Sequence, residues 1–181
     1  MQNLIKYLLS YSRLRKKKKD LVYVDLNLVL EKVQEDLEAP IRESGVEFVI
    51  ADLPEVRGVP FQLEQLFNNL ISNSIKYHSI LDTPKIEIAC KKMERNSIPD
   101  DFNKKAKEYY CISVKDNGIG FEQENAQKIF ELFQRLHQKN EYSGTGIGLA
   151  ICKKIVEKHK GHIVAYGQVN KGASFYIYLP V

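Results

Sequence analysis

The stretch Gly144-Thr145-Gly146-Ile147-Gly148-Leu149-Ala150 sets three glycines among small and apolar residues, directly before a pattern of helical period. Such glycines let the backbone turn tightly, and they leave the first N–H groups of the helix free at the positive end of its dipole. The stretch therefore predicts an anion site, most often for phosphate, although close packing of the helix on a sheet explains the glycines equally well. The helix has an apolar face, made by Ile147, Ile151, Ile155 and Val156, and Gly161 is predicted to cap it.

Two common phosphate-binding motifs do not fit this stretch. The dinucleotide-binding pattern is excluded because no strand leads directly into the glycines. The P-loop is excluded because no Gly-Lys-Ser/Thr follows them. The rest of the chain must therefore decide between an anion site and helix packing.

The composition is that of a medium-sized globular domain. The 181 residues are 44% hydrophobic and carry a formal net charge of +4, much of it in the run at residues 15–19. We interpret that run as a solvated helix end and do not expect nucleic acid as a partner. Three widely spaced cysteines and no CxxC predict reduced, buried thiols in a cytoplasmic protein, with membrane anchoring of the full-length protein left open. No apolar run approaches the roughly 18 residues that a membrane span needs.

Apolar spacing predicts alternating helices and strands. A helix over residues 1–19 carries an apolar stripe that favours a dimer contact. A second helix ends near Glu38, with Leu28, Val29, Val33 and Leu37 facing inward and Pro40 ending or kinking it. A long helix runs from Pro60 to His78. Strands are predicted at residues 22–24, 46–50, near 54–58, 84–93, 109–116, 162–166 and 174–179, with 84–93 and 109–116 forming a hairpin.

The long helix carries a polar stripe beside its apolar one. Gln65, Asn69, Asn73 and Lys76 recur at helical spacing. A solvated face would explain them, but such faces usually carry Glu, Lys and Arg, and asparagine is a poor helix former. The functional interpretation is that Asn73 supplies an amide oxygen to a hard cation such as Mg²⁺ and that Lys76 meets a phosphate.

Asp116 ends the strand at 109–116 and is followed by Asn117, Gly118, Ile119 and Gly120. The chemistry of an Asp-Asn-Gly turn alone would explain the pattern. Alternatively, the Asp116 carboxylate accepts a hydrogen bond from an exocyclic amine, and the glycines make room for a flat ring.

Two segments between Asp116 and the glycine stretch complete the pattern. Residues 129–133 predict a short helical turn whose two phenylalanines pack in the core. Residues 134–143 are polar and without period, and they predict a mobile loop before the glycines.

In this order, the motifs resemble those of the catalytic and ATP-binding domain of sensor histidine kinases. That domain belongs to the ATPase superfamily that also holds gyrase, the MutL repair proteins and the heat-shock chaperone ATPases. The similar segments are residues 65–77 (asparagine box), 116–120 (first glycine box), 130–133 (phenylalanine box), 144–150 (second glycine box) and 172–175 (last motif, with Ser174 where Thr is commoner).

The resemblance implies an α+β fold, a two-layer α/β sandwich known as the Bergerat fold. Its sheet is mixed and mostly antiparallel, with about five strands and with helices on one face. The resemblance also implies two parts. Residues 1–20 would be the end of the dimerisation and phosphoacceptor helix with its linker, and residues 21–181 would be the ATP-binding catalytic domain.

The resemblance also implies residue roles, with ATP and Mg²⁺ as cofactors. Asp116 would bind the adenine amino group, and Asn73 would bind Mg²⁺ with Asn69 nearby. Lys76 and Arg135 would meet the phosphates, and Tyr77 would lie against the base. The other implied nucleotide contacts are Gly118, Ile119, Gly120, Gly144, Thr145, Gly146, Ile147, Gly148, Leu149 and Ser174, with the glycines of residues 144–148 as the hinge of a lid over 134–143.

Asn69 indicates a kinase rather than a hydrolase. Hydrolytic members of the superfamily carry a Glu one turn before the Mg²⁺-binding Asn, where it activates water as a general base. An amide cannot accept that proton, so the site would position ATP for an acceptor supplied from elsewhere. None of the four histidines lies in a helical His-Glu/Asp context, so we expect the acceptor on a helical domain outside this sequence.

The expected partners are that phosphoacceptor domain, the receiver domain of a response regulator, and a second copy through residues 1–19. Two alternatives remain. One is a serine kinase of the anti-sigma type on the same fold, and the other is a non-catalytic nucleotide-sensing module.

Overall fold

The computed structural model describes residues 21–79, 82–98, 106–136 and 145–181. The helix and dimer contact predicted for residues 1–19 lie outside the described residues, as do Gly144 and most of the predicted loop. The helices are α1 (Leu26–Asp36), α2 (Glu38–Ser44), α3 (Pro60–Lys76) and α4 (Gly148–Lys158). The strands are β1 (Val22–Asp25), β2 (Glu47–Ile50), β3 (Glu55–Gly58), β4 (Lys85–Glu94), β5 (Glu108–Asp116), β6 (His162–Gln168) and β7 (Gly172–Pro180).

Five strands form one mixed sheet in the order β2-β4-β5-β7-β6. The pair β2–β4 is parallel, and the other three pairs are antiparallel. The predicted hairpin of β4 and β5 is confirmed, with Cys90 opposite Ile112. The described fold is therefore the predicted α+β sandwich. A separate antiparallel pair, β1–β3, lies beside it, and the sequence had not paired these strands.

The core lies between the sheet and one layer of helices. Ile86, Ile88, Ile112 and Val114 alternate along β4 and β5 and point into it. The predicted apolar stripe of α3 is buried there, and each of its large side chains contributes roughly 1.5–3 kcal/mol of transfer free energy. The stripe consists of Leu63, Leu66, Phe67, Leu70, Ile71 and Ile75. Helix α3 begins with Pro60 at its first position, where no intrahelical N–H bond is lost.

Two predictions for this part of the chain are wrong: the inward direction of Leu28 and the end or kink of the first helix at Pro40. Asp25 caps α1 by accepting the Asn27 N–H at 2.8 Å, so the helix begins at Leu26. Leu28 is 62% exposed rather than inward-facing, and Leu30 is buried instead, on the same face as Val29 and Val33. Pro40 does not end this helix. It lies in the first turn of α2, where its missing N–H has no helical partner in any case.

Helix α4 ends differently from the prediction for Gly161. The left-handed residue is Lys160, at φ 58°, and Gly161 follows it, donating its N–H to the Val156 carbonyl at 2.9 Å. This is the hydrogen-bond pattern of a Schellman motif with a lysine at the left-handed position. An added methyl at Gly161 would collide with the Tyr178 carbonyl, which explains the glycine by close packing on β7.

The outer face of the sheet carries a second, smaller apolar cluster. Ile98, Tyr109, Cys111 and Tyr178 are buried there. Ile98, in the connection between β4 and β5, thus contributes to a packed surface. Cys111 and Cys152 are buried and Cys90 is half-buried, and all three thiols are free. Burial raises the pKa of Cys90 to about 11 and that of Cys152 to about 12.

No helix in the described ranges combines the length and the apolar character needed to cross a bilayer.

Candidate functional site

A pocket opens between the second half of α3, the end of β5 and the start of β7. It holds about 660 Å³ of empty space, part of it open to solvent. Its lining is mainly apolar with a few polar groups, as is usual for small-molecule sites. The lining residues are Asn73, Ser74, Tyr77, Asp116, Gly120, Phe121, Ile129, Gln134, Arg135, Leu136, Leu149, Ala173 and Phe175.

Asp116 is the most constrained side chain of this pocket. Its Oδ1 accepts the N–H groups of Gly118 at 3.0 Å and Ala173 at 3.1 Å, and its Oδ2 accepts the Ser74 hydroxyl at 3.0 Å. Burial raises the pKa of Asp116, and these three hydrogen bonds act in the opposite direction. The result is an oriented carboxylate on the pocket wall, with acceptor capacity left for one donor of a ligand.

The segment after Asp116 is held on several sides. Asn117 accepts the Lys85 N–H at 2.7 Å and donates to the Thr83 carbonyl at 2.9 Å. Ile119 donates its N–H to the Tyr77 carbonyl at 2.9 Å. Turn chemistry and a binding role are thus compatible here, because the Asp116–Gly118 bond uses one carboxylate oxygen and leaves the other with spare capacity.

Backbone conformation and close packing explain why the second glycine of this segment, Gly120, is a glycine. Its φ is +62°, and an added methyl would meet the Gln168 carbonyl. The backbone therefore passes the β6–β7 connection with no room for a side chain, and it reaches the pocket at Gly120.

The polar stripe of α3 divides into two groups. Asn73 lines the pocket together with Tyr77. Asn69 is only 7% exposed and donates to the Gly148 carbonyl at 3.3 Å, so it joins α3 to the start of α4. Lys76 does not line the pocket. Its Nζ lies 2.7 Å from the Tyr77 hydroxyl and 4.1 Å from the centre of that ring.

The site offers few metal ligands of its own. Across the described ranges, no group of three or more His, Cys, Asp or Glu side chains is placed to hold a metal ion. A Mg²⁺ ion bound mainly by phosphates and water, with one amide oxygen from the protein, fits this donor set. Among the described lining residues, Asn73 and Gln134 carry such an oxygen, and Asn73 is the one that the sequence predicts for this role.

The glycine stretch serves both packing and the pocket. Ile147 is fully buried, so its side chain belongs to the core, whereas Leu149 lines the pocket. Ile147 is also the N-cap of α4 and supplies no side-chain hydrogen bond, which leaves the first N–H groups of the helix for another acceptor. Gly146, at φ +69°, accepts the Phe133 N–H at 2.9 Å. Thr145 and Gly148 are not among the lining residues.

The segment before the undescribed loop reaches the pocket through Gln134, Arg135 and Leu136. Just before it, the two phenylalanines differ. Phe130 is buried against Phe175, with ring centroids 6.5 Å apart, as predicted. Phe133 is 58% exposed at a left-handed φ of 64°, so the prediction that it packs in the core is wrong.

The structure also places residues that the sequence had not indicated. Ala173 and Phe175 of β7 line the pocket, and Ser174 between them points to the other sheet face because successive strand residues alternate. Gly118 and Ile119 contribute backbone contacts rather than lining surface. Ser74 is buried and is a further residue of the site. The usable signal in the sequence was a serine beside Asn73 at the spacing of the apolar residues Leu70 and Ile71. Phe121 and Ile129 had none beyond their apolar character.

Comparison with known proteins assigns the family. Residues 58–181 match the family described as "Histidine kinase-, DNA gyrase B-, and HSP90-like ATPase". Over 181 residues the chain is 39% identical to cyanobacterial phytochrome A of Nostoc sp. and 36% identical to phytochrome-like protein Cph1 of Synechocystis sp., covering 100% of this chain and 22% of each of those proteins. It is 32% identical to autoinducer 2 sensor kinase/phosphatase LuxQ of Vibrio vulnificus over 91% of this chain and 18% of LuxQ. The chain thus spans about a fifth of the length of these relatives.

Solved structures agree with this assignment. The nucleotide-free catalytic domain of histidine kinase ThkA superposes with a TM-score of 0.69 at 25% identity, covering 90% of this chain and 96% of that one. Full-length ShkA in complex with AMPPNP gives 0.73 at 24% identity, covering 98% and 35%. ThkA in complex with response regulator protein TrrA gives 0.70 at 21% identity, covering 99% and 47%. The last two likenesses show the fold alone. The chain belongs to the histidine kinase-, DNA gyrase B- and HSP90-like ATPase family, and within it the chain is the catalytic, ATP-binding domain of a sensor histidine kinase.

Proposed function

We propose that this domain transfers the γ-phosphoryl group of ATP to a histidine on a helical phosphoacceptor domain of the same protein, as one step of two-component signalling. The observation that carries the proposal is Asn69. It stands one turn before Asn73, and its amide is engaged by the Gly148 carbonyl. Asp116 is the one carboxylate among the described lining residues, and its oxygens already accept three hydrogen bonds. No described lining group is therefore suited to activate water, which favours an acceptor from another domain.

The pocket divides into two sides in this proposal. The nucleobase side consists of Asp116 and residues 118–121, where the carboxylate accepts the adenine amino group and Tyr77 lies against the ring. The phosphate side consists of residues 133–136 and 145–149, where Arg135 and the free N–H groups at the start of α4 meet the phosphates.

Asn73 lies between the two sides and would hold Mg²⁺. The ion, when bound, neutralises charge on the phosphates during transfer. Lys76 would have to leave the Tyr77 ring to reach a phosphate. Gly144 and Thr145 belong to the proposed lid hinge, whereas Ser174 would act only through its backbone.

The chemistry asks little of this chain beyond positioning. The acceptor imidazole nitrogen forms a bond to the γ-phosphorus while the bond to the β,γ-bridging oxygen breaks, and ADP leaves. The residues of the pocket hold the base and phosphates, orient the terminal phosphoryl group and lower the water content around it. A response regulator then takes the phosphoryl group. The solved complex of ThkA with the response regulator TrrA motivates that part of the proposal.

The remaining parts of the proposal concern context. Residues 1–20 would end the dimerisation helix and contribute to a homodimer, and residues 21–181 would form the catalytic unit in the cytoplasm. Nucleic acid is not among the proposed partners, because the net charge is modest and concentrated in one run.

Phosphotransfer in trans tests the proposal. The chain is mixed with Mg²⁺, γ-labelled ATP and the purified helical domain of the full-length protein. We expect acid-labile phosphohistidine on that domain and none on a variant whose acceptor His is replaced by Gln. ATP binding without phosphohistidine would contradict the proposal and favour a nucleotide-sensing module, and acid-stable phosphoserine on a protein partner would favour a serine kinase.

A further inference from the structure

The nucleobase side continues into residues 119–123, which lie against the β6–β7 hairpin. The Ile119 carbonyl accepts the Asn170 N–H at 2.7 Å, so the hairpin turn holds the start of this segment in place. Two residues further, the Phe121 ring lies over Gly167 of β6, where an added methyl would sit 2.6 Å from ring carbons. Phe121 is buried and lines the pocket. The position of this ring is therefore set by how firmly the segment is held against β6.

Gln123 provides that hold. Its Oε1 accepts the Gly167 N–H at 2.9 Å, and its Nε2 donates to the Ala165 carbonyl at 3.4 Å. Strand β6 is an edge of the sheet, so these two groups face away from β7. One side-chain amide thus pairs with the free edge of the strand in the way that a neighbouring strand would.

We propose that Gln123 is a positioning residue for the nucleobase side, and that its amide, by pairing with the edge of β6, keeps Phe121 and Gly120 at the distance from Asp116 that an adenine ring needs. The inference rests on the proposed nucleotide binding. Gln123 itself does not line the pocket and lies largely at the surface. Its effect is therefore exerted through Phe121, two residues away.

Gln123→Ala removes both hydrogen bonds without disturbing the core. We expect the dissociation constants of ADP and ATP to rise by the same factor, about three- to tenfold, since one or two exposed hydrogen bonds are lost. The kcat of phosphotransfer at saturating ATP should stay unchanged, because the phosphate side is intact. Gln123→Glu keeps the acceptor for Gly167 but loses the donor to Ala165, and it should fall between the wild type and Gln123→Ala.

Gln127→Ala is the matched control. Gln127 is an exposed glutamine of the same segment, and it makes no side-chain hydrogen bond among the residues that the structure describes. Its replacement should change neither dissociation constant.

Hydrogen exchange of the free chain separates this inference from the proposed function. In Gln123→Ala the Gly167 amide should exchange faster, since its acceptor is gone. Unchanged protection of Gly167, or lost protection with unchanged ADP affinity, would overturn the positioning role alone. A drop in kcat at saturating ATP, or a shift of ATP affinity without one for ADP, would also overturn it. Failure of the wild-type chain to bind ADP would overturn the proposed function and this inference together.

Discussion

The nucleobase side and the phosphate side of the pocket differ in the hydrogen bonds that hold them and in the space around their glycines. On the nucleobase side, Asp116 and the segment after it are held by hydrogen bonds from α3, β4, β7 and the β6–β7 turn. On the phosphate side, Asn69 donates to the Gly148 carbonyl at 3.3 Å, and the Phe133 N–H donates to the Gly146 carbonyl at 2.9 Å. An added methyl at Gly120 would collide with backbone, and one at Gly146 on the phosphate side would meet the Gln134 carbonyl at 2.8 Å, whereas one at Gly148 would find its nearest atoms at 3.7 Å. The nucleobase side is closely packed around its described glycines, whereas the phosphate side is closely packed at Gly146 and has space at Gly148.

The largest effect should come from removing the charge on the nucleobase side. Asp116→Asn keeps the shape, and the amide oxygen can still accept from Gly118 and Ala173, but the amide nitrogen now faces the ligand donor. We expect nucleotide affinity to fall at least roughly a hundredfold, because a buried polar mismatch is left in the complex.

The free energy of unfolding of Asp116→Asn should rise or stay the same, in contrast to its nucleotide affinity. Burial raises the pKa of Asp116, so the ionised carboxylate opposes folding at neutral pH, and the neutral amide does not. Calorimetric titration and thermal melts together check this. A parallel loss of Tm and affinity would mean that Asp116 is structural, and unchanged affinity would remove its role toward the base.

A pair of glycine variants compares the two sides directly. Gly120→Ala forces a side chain into a left-handed backbone and against the Gln168 carbonyl, and it should lower the free energy of unfolding by roughly 2–4 kcal/mol. Gly148→Ala, at the first position of α4, should change it by less than about 1 kcal/mol. Urea denaturation of both variants measures the contrast. Equal losses would show that the backbone is as tightly packed at Gly148 as at Gly120.

The smallest expected effect concerns His159, which joins the end of α4 to the start of α3. His159 is buried, accepts the Val59 N–H at Nε2 (3.0 Å) and lies with Nδ1 2.8 Å from the Ile155 carbonyl. Because the Val59 N–H can only donate, the neutral ring must carry its proton on Nδ1. Burial, with a small contribution from Lys158, lowers the pKa of His159.

A lowered pKa means that the unfolded chain binds the proton more readily than the folded one. The free energy of unfolding should therefore be fully retained above the unfolded pKa of about 6.5 and fall as the pH drops below it. Urea titrations at pH 7.5 and 5.0 check this. His159→Gln should show a smaller difference between the two pH values. A wild-type difference no larger than that of His159→Gln would contradict the role.

The order of motifs along the sequence was sufficient for the fold and for the main pocket residues. The Asp-Asn-Gly-Ile-Gly segment predicted its position because its turn chemistry is local. Local patterns failed where several apolar residues of one helix compete for the buried face. Leu28 is predicted to face inward together with Val29, but successive residues of a helix are about 100° apart, and the buried face consists of Leu26, Val29, Leu30 and Val33.

Contacts between distant segments were harder to predict. Nothing near Gln123 indicates that β6 will be an edge strand beside it, since that depends on the strand order of the whole sheet. Likewise, the predicted role of Ser174 carried no information on which sheet face its side chain would take. Lys160 occupies a left-handed position that residue preferences assign to Gly161, and close packing of Gly161 on β7 is the stronger constraint there.

The pairing of Gln123 with β6 also affects how the sheet ends. An open strand edge offers its N–H and C=O groups to any other extended chain, and proteins commonly block such edges to avoid aggregation. Here the Ala165 carbonyl and the Gly167 N–H are already taken by a side chain of the same molecule. At the opposite edge, β2 is only four residues long and begins with Glu47. Both edges of the sheet are thus protected against strand addition, so two copies of this domain can lie side by side without their sheets joining.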